Sequence, residues 1–169
     1  MTSTILVSDR FLVRRTTDAS DLIHIEKTVY DEKDQSDGTR ILVMRTWPRG
    51  IRKTGVDAWM KDLGTQKELI KLWKSKKISL KEFKKRYLSD LKKDKVGMEL
   101  ANEIADRVSK GNPVTLLCTD RNPQECHRSF LKEIIVGSAR PMMTSLLHAE
   151  PRKKRLIFTH EISAGARLV

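Results

Sequence analysis

Residues 114–128 read VTLLCTDRNPQECHR, and this stretch decides the fold. Its apolar run, residues 114–118, does not alternate with polar residues, which is typical of a strand buried on both faces. The run NPQE at 122–125 then resembles a helix start, because it places Asn at the N-cap, Pro at the first helical position and Glu at the third. The stretch therefore predicts a strand, a loop and a helix that continues to Gly137.

A second buried strand is predicted at residues 40–45, RILVMR, and it runs into the loop sequence WPRG at 47–50. An alternating pattern also predicts a strand within residues 22–29. Helical segments separate the two buried strands, so we expect one α/β domain, three-layer-like, with a mostly parallel sheet and flanking helices. Ligands of such sheets bind at the carboxyl ends of the strands. If the two strands are neighbours, their loops form one pocket.

Apolar side chains three and four residues apart predict helices over residues 57–63, 79–92 and 97–110. Another helix is expected after Thr65, because Thr65 and Glu68 have the spacing of a capping box.

Composition limits the class of protein. The 169 residues include 34 Lys plus Arg against 22 Asp plus Glu, a net charge of +12, and 38% are hydrophobic. This is enough apolar material for one domain and excludes collagen-like and disulfide-stapled chains. No apolar run approaches the roughly 20 residues of a membrane helix, and the first residues do not resemble a secretory signal. We expect a cytoplasmic protein without membrane contact, whose two cysteines are thiols; the sequence gives no indication of oligomeric state.

The positive charge is concentrated in residues 67–95, which hold twelve basic residues. A second basic cluster consists of Arg152, Lys153, Lys154 and Arg155. These residues, with Lys84, Lys85 and Arg86 at the centre of the first group, could bind a nucleic acid through its phosphates. The excess of Lys over Arg and the scarcity of aromatics favour a plain solvated face. A nucleic-acid-binding module therefore stays an alternative function, and a scaffold or regulatory partner without catalysis is a third.

The thiols suggest chemistry at the strand ends. Cys126 is expected in the first turn of a helix, where the helix dipole and adjacent cations favour the thiolate. It would act as nucleophile or redox thiol, with His127 or Asp120 as proton-transfer partner. Cys118 could resolve it as a disulfide. The spacing of Cys118, Cys126 and His127 disfavours a shared zinc ion, so neither a metal nor a cofactor is expected.

The same pocket could instead hold an anion without a covalent step. The amides of the helix start and the guanidinium groups of Arg45, Arg49, Arg121 and Arg128 would suit a small anionic or nucleotide-like ligand, with Trp47 and Gly50 lining the pocket. The plainer interpretation of these arginines and Asp120 is a buried salt-bridge set that fixes the loops. No Walker loop, GxGxxG turn or Cys-x5-Arg phosphatase loop is present.

Several motifs together resemble the YeaO-like family, the domain of unknown function 488. They are residues 29–31 (VYD), 35–38 (QSDG), 40–43 (RILV), 47–50 (WPRG), Trp59 and 115–117 (TLL). Residues 118–128 are similar to the branch of that family in which a strand-end Cys precedes a Cys-His-Arg triplet.

The resemblance implies a compact α/β domain over residues 23–136, with extensions at 1–22 and 137–169, and an activity that is not established. Met44 stands where the family usually has Asp before Arg45 and Trp47, which weakens any general-base role for that loop.

Overall fold

The computed structural model describes residues 18–147. A four-stranded, all-parallel sheet lies at its centre, in the order β1-β4-β2-β3. The strands are β1 (Ile23–His24), β2 (Thr39–Leu42), β3 (Ala58–Trp59) and β4 (Val114–Leu117). The helices are α1 (Lys67–Lys74), α2 (Leu80–Lys93), α3 (Lys95–Ser109) and α4 (His127–Leu147). The predicted α/β domain with a parallel sheet and flanking helices is confirmed, and the two buried strands, β2 and β4, are direct neighbours.

The two faces of the sheet are covered differently. Ile41 and Leu116 point to one face, where they join the large core formed with α2, α3 and α4. The next residues along each strand, Leu42 and Leu117, point to the opposite face because side chains alternate in a strand. There they pack in a smaller cluster with loop residues such as Val29. The layers are therefore helices, sheet and a loop layer.

A close backbone approach fixes the start of β2 against β4. Gly38 has φ +60°, and a Cβ atom on it would lie 2.1 Å from the carbonyl oxygen of Pro113. That oxygen accepts a hydrogen bond from the Thr39 N–H at 3.0 Å. Only glycine combines this left-handed conformation with so close a neighbour.

Buried charges hold the loop layer. The Asp37 carboxylate accepts from the Arg40 guanidinium at 2.9 Å and from Lys27 Nζ at 2.6 Å, and both Asp37 and Arg40 are almost fully buried. The Thr115 hydroxyl of β4 donates to the Asp37 carbonyl at 2.7 Å. This network ties the turn before β2 to the centre of the sheet.

The helix starts and ends partly follow the sequence. Ser79 caps α2 as predicted, its hydroxyl accepting from the Glu82 N–H. α3 covers all but the last residue of the predicted segment 97–110. In the part of the chain that the structure describes, α1 begins at Lys67, the Gln66 side chain makes no capping hydrogen bond and the Thr65 hydroxyl has no partner, so the predicted capping box at Thr65 is wrong.

The prediction of a helix over 57–63 is also wrong. The segment begins as edge strand β3 and ends as the 3-10 helix Lys61–Leu63. The Asp57 N–H donates to the Arg40 carbonyl at 2.9 Å, and the Asp57 carboxylate accepts from the Arg40 N–H at 2.9 Å. This pairing with β2 overrides a weak helical spacing in a segment too short to be stable alone.

The helix after β4 differs at both ends from its prediction. Asn122 caps a 3-10 helix, Pro123–Glu125, and α4 begins only at His127. It continues past Gly137, with Pro141 inside it, to Leu147. A single glycine costs a helix only about 1 kcal/mol, which the buried residues Val136 and Ala139 on either side can offset by packing on the core. Over residues 18–147, no helix combines the length and apolarity needed to cross a bilayer.

Candidate functional site

The two thiols lie side by side at the carboxyl end of β4. Cys118 directly follows the strand, and its carbonyl oxygen accepts from the Val29 N–H at 3.0 Å. Cys126 lies between the 3-10 helix and α4 with extended backbone, φ −98° and ψ 146°. Both cysteines are buried and neither forms a disulfide. Cys126 is therefore the residue just before the first turn of α4 rather than part of it.

His127 is held in one orientation between Cys126 and the sheet. Its Nε2 lies 2.6 Å from the carbonyl oxygen of Val43, and its Nδ1 lies 3.5 Å from the Cys126 sulfur. A carbonyl oxygen only accepts, so Nε2 carries the proton and Nδ1 is the atom that can exchange a proton with the thiol. The ring of Tyr87 packs against the imidazole, with centroids 5.5 Å apart, and supports this orientation.

The environment shifts the pKa values of the two thiols in opposite directions. The Cys118 S–H donates to the Cys126 sulfur, and together with the Arg128 backbone N–H and guanidinium it overcomes the effect of burial and lowers the pKa of Cys126 to about 7. The same hydrogen bond, together with burial, raises the pKa of Cys118. Cys126 is thus the more acidic thiol of the pair, and Cys118 keeps its proton.

Arg128 is fully buried, and its guanidinium serves the fold as well as the thiolate. It donates to the carbonyl oxygen of Lys27 and, at 2.6 Å, to that of Asp120. These bonds tie the segment after β1 to the loop after β4. Arg128 therefore fixes the loop beside Cys126 while placing a positive charge near the sulfur.

A cavity of about 160 Å³ opens onto the thiols and His127. Its walls come from the ends of β2 and β4, from α1 and from the start of α2. Besides Cys118, Cys126 and His127, the lining residues are Met44, Arg45, Thr46, Thr65, Lys67, Ile70, Trp73, Lys74, Phe83, Thr119, Asp120 and Glu125. Cations of Arg45, Lys67 and Lys74 lie on the side of β2 and α1, and the carboxylates of Asp120 and Glu125 on the side of the loop after β4.

Some polar groups at the start of α1 have no hydrogen-bond partner within residues 18–147. The hydroxyl of Thr65 is buried and has no hydrogen-bond partner within residues 18–147. The first amides of α1 receive no side-chain cap from Gln66. Arg45 lies beside them, its Nε donating to the Gly64 carbonyl at 3.0 Å. This corner of the cavity therefore has donors to offer a bound group.

The structure brings together some of the predicted site residues and separates others. Arg45, Cys118, Asp120, Cys126 and His127 line the cavity, and Arg128 lies behind it. Four predicted residues lie elsewhere: Trp47, Arg49, Gly50 and Arg121.

Trp47 lies outside the cavity because its indole folds onto the opposite, loop-covered face of the sheet. It packs there near Leu42 and Leu117, its Nε1 donates to the Ile51 carbonyl at 3.0 Å, and it meets Trp59 edge to face at 5.6 Å. Arg49 and Gly50 are exposed in the same loop. Arg121 is exposed and borders a separate depression beside Tyr30.

The basic face is partly neutralised by ion pairs. Lys84 lies 2.6 Å from Glu133, and Arg86 lies 2.8 Å from Glu82, while Lys85 is exposed. The second cluster, Arg152, Lys153, Lys154 and Arg155, lies outside the described residues. Nucleic-acid binding through these residues stays a prediction.

Three donor types of the kind that hold metals also meet here. The donor atoms of Cys118, Cys126 and His127 all lie within 4.8 Å of one another. The expectation that the spacing keeps them apart assumed Cys126 inside a helix, but its extended backbone lets it face the same point as His127. Such compactness is shared by dithiol pairs and metal sites, so it assigns no ion by itself.

The sequence analysis did not predict that one face of α1 lines the cavity, although the spacing of residues in α1 shows which of them share that face. Lys67, Ile70 and Lys74 recur at helical spacing and so share one face of α1. That spacing shows which residues lie together, but not that the face turns toward the end of β2. Gly64 allows it, because a Cβ there would lie 2.4 Å from the Arg45 backbone nitrogen.

Fold and site together define a small parallel α/β protein with a thiol and imidazole pair in a strand-end cavity. Residues 23–138 match the family DUF488-N3a, described as the active DUF488-N3 subclade. The chain belongs to this family.

Curated relatives agree with that membership. The chain is 37% identical over 110 residues to the uncharacterized protein YeaO of Escherichia coli K12, a match that covers 63% of this chain and 91% of YeaO. It is 32% identical over 111 residues to the uncharacterized protein Rv3073c of Mycobacterium tuberculosis H37Rv, covering 64% of this chain and 90% of that protein. No solved structure matches the chain significantly.

Proposed function

We propose that the strand-end cavity binds a small anionic or nucleotide-like ligand and that Cys126 attacks it as a thiolate nucleophile. The observation that carries this proposal is the contact between Cys126 and His127. The sulfur lies 3.5 Å from an imidazole nitrogen whose partner nitrogen is fixed on a backbone carbonyl. A nucleophile beside an oriented base is the usual arrangement for covalent catalysis.

The preference for an anion is supported by the charges that surround the cavity mouth. Arg45, Lys67 and Lys74 line one side of it, next to the uncapped amides of α1. A helix N-terminus attracts negative groups, and nearby cations add to that attraction. The carboxylates of Asp120 and Glu125 on the other side would repel an anion, so the ligand's charged group is placed near α1.

The roles of the remaining residues follow from their positions. His127 Nδ1 takes the proton of Cys126, and Arg128 stabilises the thiolate from behind the cavity without contacting the ligand. The size of the cavity, about 160 Å³, suits a small molecule or one end of a larger one. The description of the matched subclade as active agrees with a catalytic role.

Two alkylating reagents of almost equal size test the proposal. Iodoacetate carries a negative charge and iodoacetamide is neutral. We expect the ratio of their rates at Cys126 to exceed the ratio for N-acetylcysteine by about threefold or more, because the cavity concentrates anions. Trypsin places Cys118 in the peptide 111–121 and Cys126 in 122–128, so mass spectrometry assigns each alkylation.

A matched pair of lysines provides the control. Lys74→Gln removes a charge at the cavity and should lower the iodoacetate preference, whereas Lys71→Gln, on the same helix but outside the cavity, should leave it unchanged. Protection of Cys126 from iodoacetamide by inorganic phosphate or by adenosine monophosphate then separates a simple anion from a nucleotide. A rate ratio equal to that of the free thiol, with no protection by either compound, would contradict the proposal.

A further inference from the structure

Cys118 forms no bond to the ligand in the proposed nucleophilic reaction, yet its position beside Cys126 is specific. The two sulfurs lie within 4.8 Å of each other and are not bonded. The chain holds two cysteines in total, and the fold places both at the floor of one cavity. A buried thiol beside a thiolate is the arrangement of a resolving cysteine next to an attacking one.

We propose that the protein reduces small hydroperoxides, with Cys126 as the attacking thiol and Cys118 as the resolving thiol. This activity goes beyond the proposed function. It shares Cys126 with that function but needs neither the anionic ligand nor the cations that bind it.

The first step oxidises Cys126. Its sulfur attacks the outer oxygen of the hydroperoxide ROOH, an S–O bond forms, and the O–O bond breaks. The leaving alkoxide takes the proton that His127 Nδ1 received from the Cys126 thiol, which gives ROH. Cys126 is then a sulfenic acid, and the peroxide has accepted two electrons.

The second step uses Cys118. Its sulfur attacks the sulfur of the sulfenic acid, the S–S bond forms, and the S–O bond breaks. The departing hydroxide takes the proton of Cys118 and leaves as water. The sum is one hydroperoxide and two thiols converted to one alcohol, one water and one disulfide. A dithiol reductant from solution returns the pair to the reduced state.

The geometry lets the disulfide form with a small movement of the chain. The S–S bond requires the sulfurs to come from within 4.8 Å to about 2.05 Å. Cys118 is fixed by its bond to Val29 at the strand end. Cys126 precedes α4 in extended backbone and follows an exposed loop, so the smaller change is a rotation of its side chain toward Cys118. Asp120 in that loop is held by Arg128, which limits how far the two residues can separate.

Peptide mapping after peroxide treatment tests the inference on the unmodified sequence. Trypsin cleaves after Arg121 and separates the two cysteines. Equimolar hydrogen peroxide should therefore join the peptides 111–121 and 122–128 into one cross-linked species that dithiothreitol dissociates. Dilution and a non-reducing gel identify the bond as internal to one chain.

Variants assign the order of the steps. Cys118→Ala should stop at the sulfenic acid of Cys126, which dimedone traps, and should consume peroxide at least tenfold more slowly with dithiothreitol as reductant. Cys126→Ala should consume none above background. Oxidation of Cys126 to sulfinic acid without a cross-link in the unaltered protein would overturn the inference.

The outcomes for the two proposals are separable. A preference of Cys126 for iodoacetate over iodoacetamide can persist when no disulfide forms, and then the peroxidase inference alone fails. A disulfide can form when that preference is absent, and then the anionic-ligand function alone fails. Treatment with a chelator before each measurement removes adventitious metal from the thiols.

Discussion

The imidazole of His127 donates from Nε2 to the backbone carbonyl of Val43, 84 positions earlier in the chain, at 2.6 Å. This bond joins the start of α4 to the residue that follows β2. It fixes the tautomer of His127, because the carbonyl can only accept, and so it directs Nδ1 at Cys126. A backbone contact between two elements thus determines which atom of the site handles the proton.

Loss of the imidazole should slow Cys126. In His127→Ala the thiol has no adjacent proton acceptor, so we expect the rate of iodoacetamide alkylation at pH 7 to fall by about fivefold, the change that a rise of one unit from a pKa of about 7 produces. Tyr87→Phe keeps the ring that packs on the imidazole and removes only the hydroxyl that donates to the Leu63 carbonyl. It should react near the normal rate. An alanine variant that folds and reacts as fast as the unaltered protein would show that His127 does not assist the thiol.

The pH profile of alkylation reports the state of Cys126. Its pKa of about 7 means that the rate should rise with a midpoint near pH 7, below the ordinary thiol value of about 8.5. Cys118→Ala removes the S–H donor that contributes most to this lowering, so the midpoint should move to higher pH. Iodoacetamide rates measured from pH 5 to 10 provide the profile. A midpoint that stays at the value of a free thiol would rule out activation.

The buried carboxylate of Asp37 makes stability depend on pH. Burial alone would raise the pKa of Asp37, but the Asp34 amide and the cations of Lys27 and Arg40 outweigh it and hold the pKa below its ordinary value. A lowered pKa stabilises the folded state above the unfolded-state pKa, near 3.8, and this contribution disappears as the pH falls through the folded-state pKa. Asp37→Asn should therefore lower the free energy of unfolding by about 3 kcal/mol at pH 7, since it leaves Arg40 buried without its partner.

Urea unfolding from pH 3 to 8 measures this effect. The difference in free energy of unfolding between Asp37→Asn and the unaltered protein should be constant above about pH 5. It should become smaller below pH 3.8. Asp21→Asn removes the charge of an exposed carboxylate and serves as control, with an expected change within about 0.5 kcal/mol. If this difference in free energy of unfolding increased toward low pH, it would contradict the assigned role of Asp37.

The strands could be predicted where their burial produces a clear pattern of apolar residues. The strand without such a pattern was missed. β2 and β4 are covered on both faces, so they read as continuous apolar runs, and the rule for parallel sheets correctly brings Arg45 near Cys118. β3 has only two residues at the edge, and the apparent helical spacing of residues 57–63 concealed it, whereas the alternation over residues 22–29 did indicate the equally short β1.

The direction of side chains was the other feature of the site that the sequence did not predict. Trp47 follows β2 as Arg45 does, yet it turns to the opposite face of the sheet, and no pattern in the loop sequence specifies that turn. The wall supplied by α1 depends on how a helix packs across the end of β2, which is a long-range contact. This packing is possible because the backbone at Gly64 lies close to the backbone of Met44 and Arg45. The periodicity of a single sequence does not show which backbone segments lie so close together.

Gly64 offers a direct test of that approach. Its φ of −78° is open to any residue, so an added side chain meets only the steric limit. A Cβ atom would lie 2.4 Å from the Arg45 nitrogen and 2.7 Å from the Met44 carbonyl carbon, and these are backbone atoms that cannot rotate away. Gly64→Ala should lower the free energy of unfolding by about 3 kcal/mol, the upper part of the usual range for overpacking. It should also move α1 away from β2.

Gly55→Ala is the matched control, because a Cβ there has no atom within 4 Å. Its stability, followed by urea denaturation, should stay within about 0.5 kcal/mol of the unaltered protein. The displaced helix in Gly64→Ala carries Lys67 and Lys74, so the iodoacetate preference of Cys126 should weaken while its reactivity toward iodoacetamide persists. If Gly64→Ala is as stable as Gly55→Ala and keeps that preference, α1 does not depend on this approach for its place at the cavity.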